Sequence, residues 1–188
     1  MKFRYVLFVA LLLPLAAFAQ NRNAIEVSLT GGKSITNWHG QADVQVLTVG
    51  LVRPFTKHTD ISVLLTPIHL WQPRSWFGDQ YKDGNESAQA IGAAILLRRT
   101  FGFRTSNVQY YFEGGTGPLI ANKRVPAATS HFNFMSQAGA GLILRPNSPN
   151  PILLGYKFLH ISNGGYASRN PGLNVSSLLV GMRFNRGR

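Results

Sequence analysis

From residue 25 the chain alternates apolar and polar positions. Ile25, Val27 and Leu29 take one parity, and Glu26, Ser28 and Thr30 the other. A period of two belongs to a β-strand, and this one sets an apolar face outward and a polar face inward. Gly31-Gly32 is expected to end that strand. Further segments of the same kind lie at residues 44–52, 60–69, 87–99, 107–117, 132–145, 152–162 and 173–184. Arg53-Pro54 closes the second, and Pro67 falls near the end of the third, where a missing N–H donor is tolerable. In the fourth, Ile91, Ala93, Ile95 and Leu97 share a face; in the fifth, Val108, Tyr110 and Phe112 oppose Gln109 and Glu113. The sixth sets Phe132, Phe134, Ala138, Ala140, Leu142 and Leu144 against Asn133, Gln137 and the glycines between them. Glycine and β-branched residues recur inside these segments, which argues against helices.

The connections alternate in length. Residues 34–43, 69–86, 118–131 and 163–172 form long gaps, and 53–59, 100–106 and 146–150 form short ones. Long external loops at one end and tight periplasmic turns at the other are what a membrane barrel shows. No apolar run of roughly 18 residues occurs after residue 20, so only a closed barrel would carry this chain across a bilayer. Residues 1–19 read as an export signal: Lys2 and Arg4, an apolar stretch, then Ala17-Phe18-Ala19. Cleavage after Ala19 leaves one domain, 20–188. The fold expected is all-β, an eight-stranded antiparallel transmembrane β-barrel of the bacterial outer membrane. A soluble exported sandwich is the alternative. Eight strands enclose a space that side chains fill, so no solute pore is expected.

Net charge adds a partner class. The chain carries +12, two fewer once Lys2 and Arg4 are removed. Export argues against nucleic acid, so anionic lipid head groups are the natural counterpart. There is no cysteine, hence no disulfide and no thiol chemistry.

Candidate chemistry sits at residues 159–174, LHISNGGYASRNPGLN. On the seventh strand Ile152, Leu154, Tyr156, Phe158, His160 and Ser162 share a parity, with Lys157 opposite. A lysine toward mid-membrane lipid is costly, so the first set is the lipid face. On the eighth, Asn174, Leu178, Val180 and Phe184 share a parity, with Arg183 opposite. His160, Ser162 and Asn174 are therefore expected together on the outward face, at the external rim of two adjacent strands. Ser162 would attack an acyl carbonyl while His160 takes its proton, and Asn174 would orient the imidazole. The turn offers oxyanion donors: the amides of Asn163 to Gly165 and the side chain of Asn163 or Asn170. Asn-Gly-Gly and Asn-Pro-Gly also read as ordinary turn chemistry.

The His-x-Ser-Asn-x-Gly stretch before a final strand, in an eight-stranded exported chain, resembles the PagL family of outer-membrane lipid A 3-O-deacylases. The resemblance implies a serine esterase that removes the 3-O-linked acyl chain of lipid A without a metal or other cofactor. By position it makes Ser162 the nucleophile and His160 the base, with Asn163 and Asn170 serving the oxyanion region. It places the chain in the outer leaflet with lipopolysaccharide as partner, and a homodimer is an assembly the reading allows. This chain departs from the family pattern in one place: Asn174 stands where better-known members have glutamate. Asparagine orients the histidine of Cys-His-Asn proteases, and outer-membrane phospholipase A is similar in using it. A phospholipase-like esterase on the same site and a non-catalytic structural barrel are the alternative readings.

The other histidines (His39, His58, His69, His131) have no metal-ligand spacing. Asp79, Asp83 and Glu86 read as a solvated loop. Trp38, Trp71, Trp76, Phe77 and Tyr81 suit an aromatic girdle. Arg74, Lys82, Lys123, Arg124 and Arg169 fall in the long loops, where they would meet lipid phosphates.

Overall fold

The computed structural model describes residues 23–35, 40–75, 82–103, 105–127 and 129–185. The proposed export signal, 1–19, lies outside them, as do Trp38, His39, Trp76, Phe77, Asp79 and Tyr81. Eight strands are present among the described residues: β1 (Ala24–Ser34), β2 (Asp43–Thr56), β3 (Thr59–Pro73), β4 (Asn85–Phe101), β5 (Val108–Ala121), β6 (Phe132–Leu144), β7 (Ile152–Ser162) and β8 (Leu173–Asn185). Each pairs antiparallel with its sequence neighbours, and β1 closes on β8 from Ala24↔Asn185 to Ser34↔Val175. Closure leaves no unpaired edge, which a bilayer would otherwise penalise by several kcal/mol per exposed backbone group.

The two-residue period holds around the barrel. Leu29, Leu65, Ile91, Ile95, Phe112, Leu178 and Val180 are exposed outward, and Glu26, Ser28, Thr48, Arg98, Glu113 and Lys157 are buried in the lumen. Gly31-Gly32 does not end β1, which runs on to Ser34. The pair marks close packing instead: a Cβ on Gly32 would lie 2.1 Å from the Ser176 carbonyl oxygen of β8. Several strands also extend beyond the alternating segments, β4 to 17 residues. Ladder hydrogen bonds to both neighbours continue past the point where the apolar stripe stops.

The lumen is filled from the long-loop end down to a layer of charged residues. Toward the long-loop end Val44, Leu70, Met135, Leu159, Ile161 and Val175 make an apolar plug. Below it Arg98 bridges Glu26 (2.6 Å) and Glu113 (2.6 Å), Lys157 meets Glu113 at 2.9 Å, and Arg183 meets Glu26 at 3.2 Å and Asp60 at 2.9 Å. Five strands other than β4 are thereby tied to one another through a desolvated network. Removing one partner of such a network leaves charges buried without compensation, at about 3–5 kcal/mol. Arg98→Met is accordingly expected to lower the urea midpoint of the barrel in micelles by that equivalent. An unchanged midpoint would show that the network adds nothing.

Candidate active site

β7 and β8 position the site through their inner faces. Leu159, Ile161, Leu173 and Val175 are at most 1% exposed, and their burial fixes which way the intervening residues point. His160 lies directly opposite Asn174 in the ladder. Its Nδ1 donates to Asn174 Oδ1 at 2.6 Å. An amide oxygen only accepts, so this bond holds the proton on Nδ1 and leaves the Nε2 lone pair able to accept a proton. Ser162 follows two residues on, on the same face; all three side chains are half-buried. The expected juxtaposition on the outward face is present. The Ser162 hydroxyl makes no hydrogen bond among the described residues. Nucleophile–base contacts commonly shorten only once substrate is bound.

Gly172 supplies the seat beneath the imidazole. Its φ of +68° is left-handed, and a Cβ there would stand 2.9 Å from His160 Cε1. Alanine at this position would therefore strain the backbone and push the ring aside. A displacement of about 1 Å in a catalytic group can cost 10²-fold in rate. Gly172→Ala is expected to lose activity on that scale while the barrel still forms; kcat/KM beside a heat-modifiability gel reads both. This residue was visible in the sequence only as part of a turn.

The turn after Ser162 is held by its own asparagines. Asn163 is 1% exposed. Its amide N–H donates to Asn170 Oδ1 (3.0 Å), its Nδ2 donates to the Arg169 carbonyl (2.7 Å), and its Oδ1 accepts from the Gly165 N–H (2.9 Å). Asn163, Gly165 and Asn170 are thus brought together next to Ser162. Three of the donors expected for an oxyanion are spent within the turn. The Gly164 amide and the Asn170 side-chain nitrogen are the ones not used there.

An aromatic wall stands beside Ser162. Phe134 pairs with Ser162 in register, and Phe132 packs edge-on against Phe134 (centroids 5.3 Å) and Tyr166 (6.4 Å). Across from His160, Ser136 bonds Thr116 at 3.0 Å. Neither feature stood out in the sequence, because both depend on the β6–β7 register. Among the described residues no three His, Cys, Asp or Glu side chains converge to hold a metal ion. A cavity of about 1030 Å³, lined by Thr56, His58, Asp60, Gln109, Ser148 and Arg183, opens at the short-turn end, away from His160.

Residues 59–183, about two thirds of the chain, match the family described as lipid A 3-O-deacylase (PagL). A lipid A deacylase PagL of Bordetella bronchiseptica is 28% identical over 115 residues, covering 58% of this chain and 57% of that protein. The match therefore spans little more than half the length of that relative. Among solved structures, the outer-membrane enzyme PagL superposes with a TM-score of 0.56 at 18% identity, covering 83% of this chain and 97% of that one. Neisserial surface protein A gives 0.60 at 12% identity, covering 87% and 97%. At such identities these structures support the barrel fold alone.

Proposed function

This chain belongs to the PagL family of lipid A 3-O-deacylases, and from that premise we propose that it hydrolyses the 3-O-linked acyl ester of lipid A in the outer leaflet, as a serine esterase. The observation that carries the mechanism is the His160–Asn174 bond of 2.6 Å on the outward face beside Ser162. His160 Nε2 takes the Ser162 proton as Oγ attacks the ester carbonyl. The tetrahedral oxyanion is met by the Gly164 amide or the Asn170 Nδ2. Collapse releases the sugar alkoxide, which receives the proton from His160, and leaves an acyl-serine. Water, deprotonated by His160, then frees the fatty acid and restores Ser162.

The outward placement has a physical advantage. A site on the lipid-facing rim receives an ester still embedded in the leaflet, so no acyl chain has to pass through water. The aromatic wall of Phe132, Phe134 and Tyr166 offers that chain an apolar surface, and Arg169 and Arg124 at the same end suit the phosphates. Residues 1–19 complete the reading as the export signal that delivers the barrel.

The test is mass spectrometry of lipid A after incubation with refolded protein. Loss of one 3-hydroxyacyl mass is expected. The neutral third member also favours a second reading, a phospholipase-like esterase with the same three residues. Release of fatty acid from phosphatidylethanolamine, with lipid A left intact, would select it.

A further inference from the structure

A second set of polar groups faces outward on the other side of the barrel. Gln45, His69 and Gln89 lie in one row across β2, β3 and β4, with Gly31 of β1 at its end. His69 Nε2 meets Ser87 Oγ at 2.9 Å. The side-chain amides of Gln45 and Gln89 have no hydrogen-bond partner among the described residues, and both are exposed. Immediately below the row, Leu29 and Leu47 flank a groove of about 660 Å³ that Gly31 and Pro67 leave open. Val180 closes it on β8, six residues from Asn174 and so roughly 20 Å along the strand from it.

Unpartnered amides on a face turned to lipid are costly unless a ligand satisfies them. The pairing of donors and acceptors narrows the ligand. Ester carbonyls of a glycerophospholipid only accept hydrogen bonds. An amide-linked 3-hydroxyacyl chain presents an N–H, a carbonyl and a hydroxyl, matching two glutamines that both donate and accept. Lys33, exposed two residues nearer the long-loop end and 3.6 Å from Asp43, adds a cation on the head-group side of the row.

We propose that this groove holds a second lipid A molecule by an amide-linked hydroxyacyl chain, as a ligand that is not hydrolysed. The chain lies along Leu29, Leu47 and Val180, and its polar groups bond Gln45, His69 and Gln89. Hydrolysis is not expected here, because among the described residues His69 Nδ1 has no orienting acceptor of the kind Asn174 gives His160. The choice of lipid A rests on the deacylase reading above. Occupancy of the groove would keep the enzyme in lipid A-rich regions of the leaflet.

The experiment is native mass spectrometry of the full-length Ser162→Ala protein in detergent, titrated with lipid A and, separately, with phosphatidylethanolamine. Two lipid A molecules are expected on this protein. One is expected after adding Gln45→Leu, His69→Leu and Gln89→Leu, changes that a lipid-facing surface accepts. Gly31→Phe gives an independent block, because a side chain there meets nothing within 4 Å and projects into the groove; it too should lose the second lipid. No loss of a bound lipid A from the parent to either blocked variant, or equal filling by phosphatidylethanolamine, would overturn the proposal. Deacylation is read separately, with the groove changes in a Ser162 background. Product from that protein upholds the esterase whatever the groove count, and no product from wild type sinks the esterase while the count still judges the groove.

Discussion

Ser162→Ala should reduce lipid A deacylation by about 10⁴-fold or more, leaving the barrel's folding unchanged. The size follows from what the hydroxyl does. Without it the covalent route is gone, and only substrate positioning and oxyanion contacts remain; losing a catalytic serine costs 10⁶-fold in a serine protease. Stability should not respond, because Ser162 is half-buried on the outward face and makes no hydrogen bond among the described residues. The measurement is acyl release from lipid A in mixed micelles, beside the urea midpoint of both proteins. Activity within tenfold of wild type would mean that another group is the nucleophile, or that no acyl-serine forms.

The second large effect is expected at Asn174. Its Oδ1 fixes the His160 tautomer through the 2.6 Å bond to Nδ1. Asn174→Ala removes the acceptor, frees the ring to rotate and lets the proton move to Nε2, where it blocks base catalysis. A loss of about 10³-fold in kcat/KM is expected, below the roughly 10⁴-fold that losing the third member of a serine-protease triad costs, because the neutral asparagine has no charge to lose. Asn174→Asp tests the opposite direction. The isosteric carboxylate keeps the tautomer and adds charge opposite the imidazolium that forms during attack. Charge-assisted hydrogen bonds are roughly twice as strong as neutral ones, so a gain of about tenfold is expected. An Asn174→Ala protein with wild-type kcat/KM would remove Asn174 from the mechanism.

The two substitutions also weigh the departure from the family's glutamate. Swapping asparagine for a triad aspartate is damaging in serine proteases because the wrong tautomer results. Here the amide presents its oxygen, so the neutral residue keeps the useful tautomer and forgoes only the charge. The site is therefore expected to work at reduced rate.

Much of this was legible along the chain. The strand count, the outward face of β7 and the placing of His160, Ser162 and Asn174 on that same face all follow from a two-residue period, which has only two possible phases. Lys157 and Arg183 choose the phase, since neither is tolerated in mid-membrane lipid. Local signals misled in two places, one through packing against a distant strand and one through bonds inside a turn. Gly31-Gly32 looked like a break and is a contact with β8. The Asn163 and Gly165 N–H groups looked like oxyanion donors and are engaged in holding their own turn.

What the sequence alone determined, then, is the alternation: which residues face lipid, which face the lumen, and where loops interrupt. Tertiary structure decided the register. Sliding β8 by one residue against β7 would move Asn174 away from His160. Burial of Leu173 and Val175 against the rest of the lumen, with the ladders to β7 and β1, forbids it. The same holds for Arg98, whose carboxylate partners lie 72 and 15 residues away in the chain, and for the row Gln45–His69–Gln89. Periodicity along one strand says which way a side chain points. Its cross-strand neighbour is fixed by pairing, and pairing is settled by the energy of the whole closed barrel.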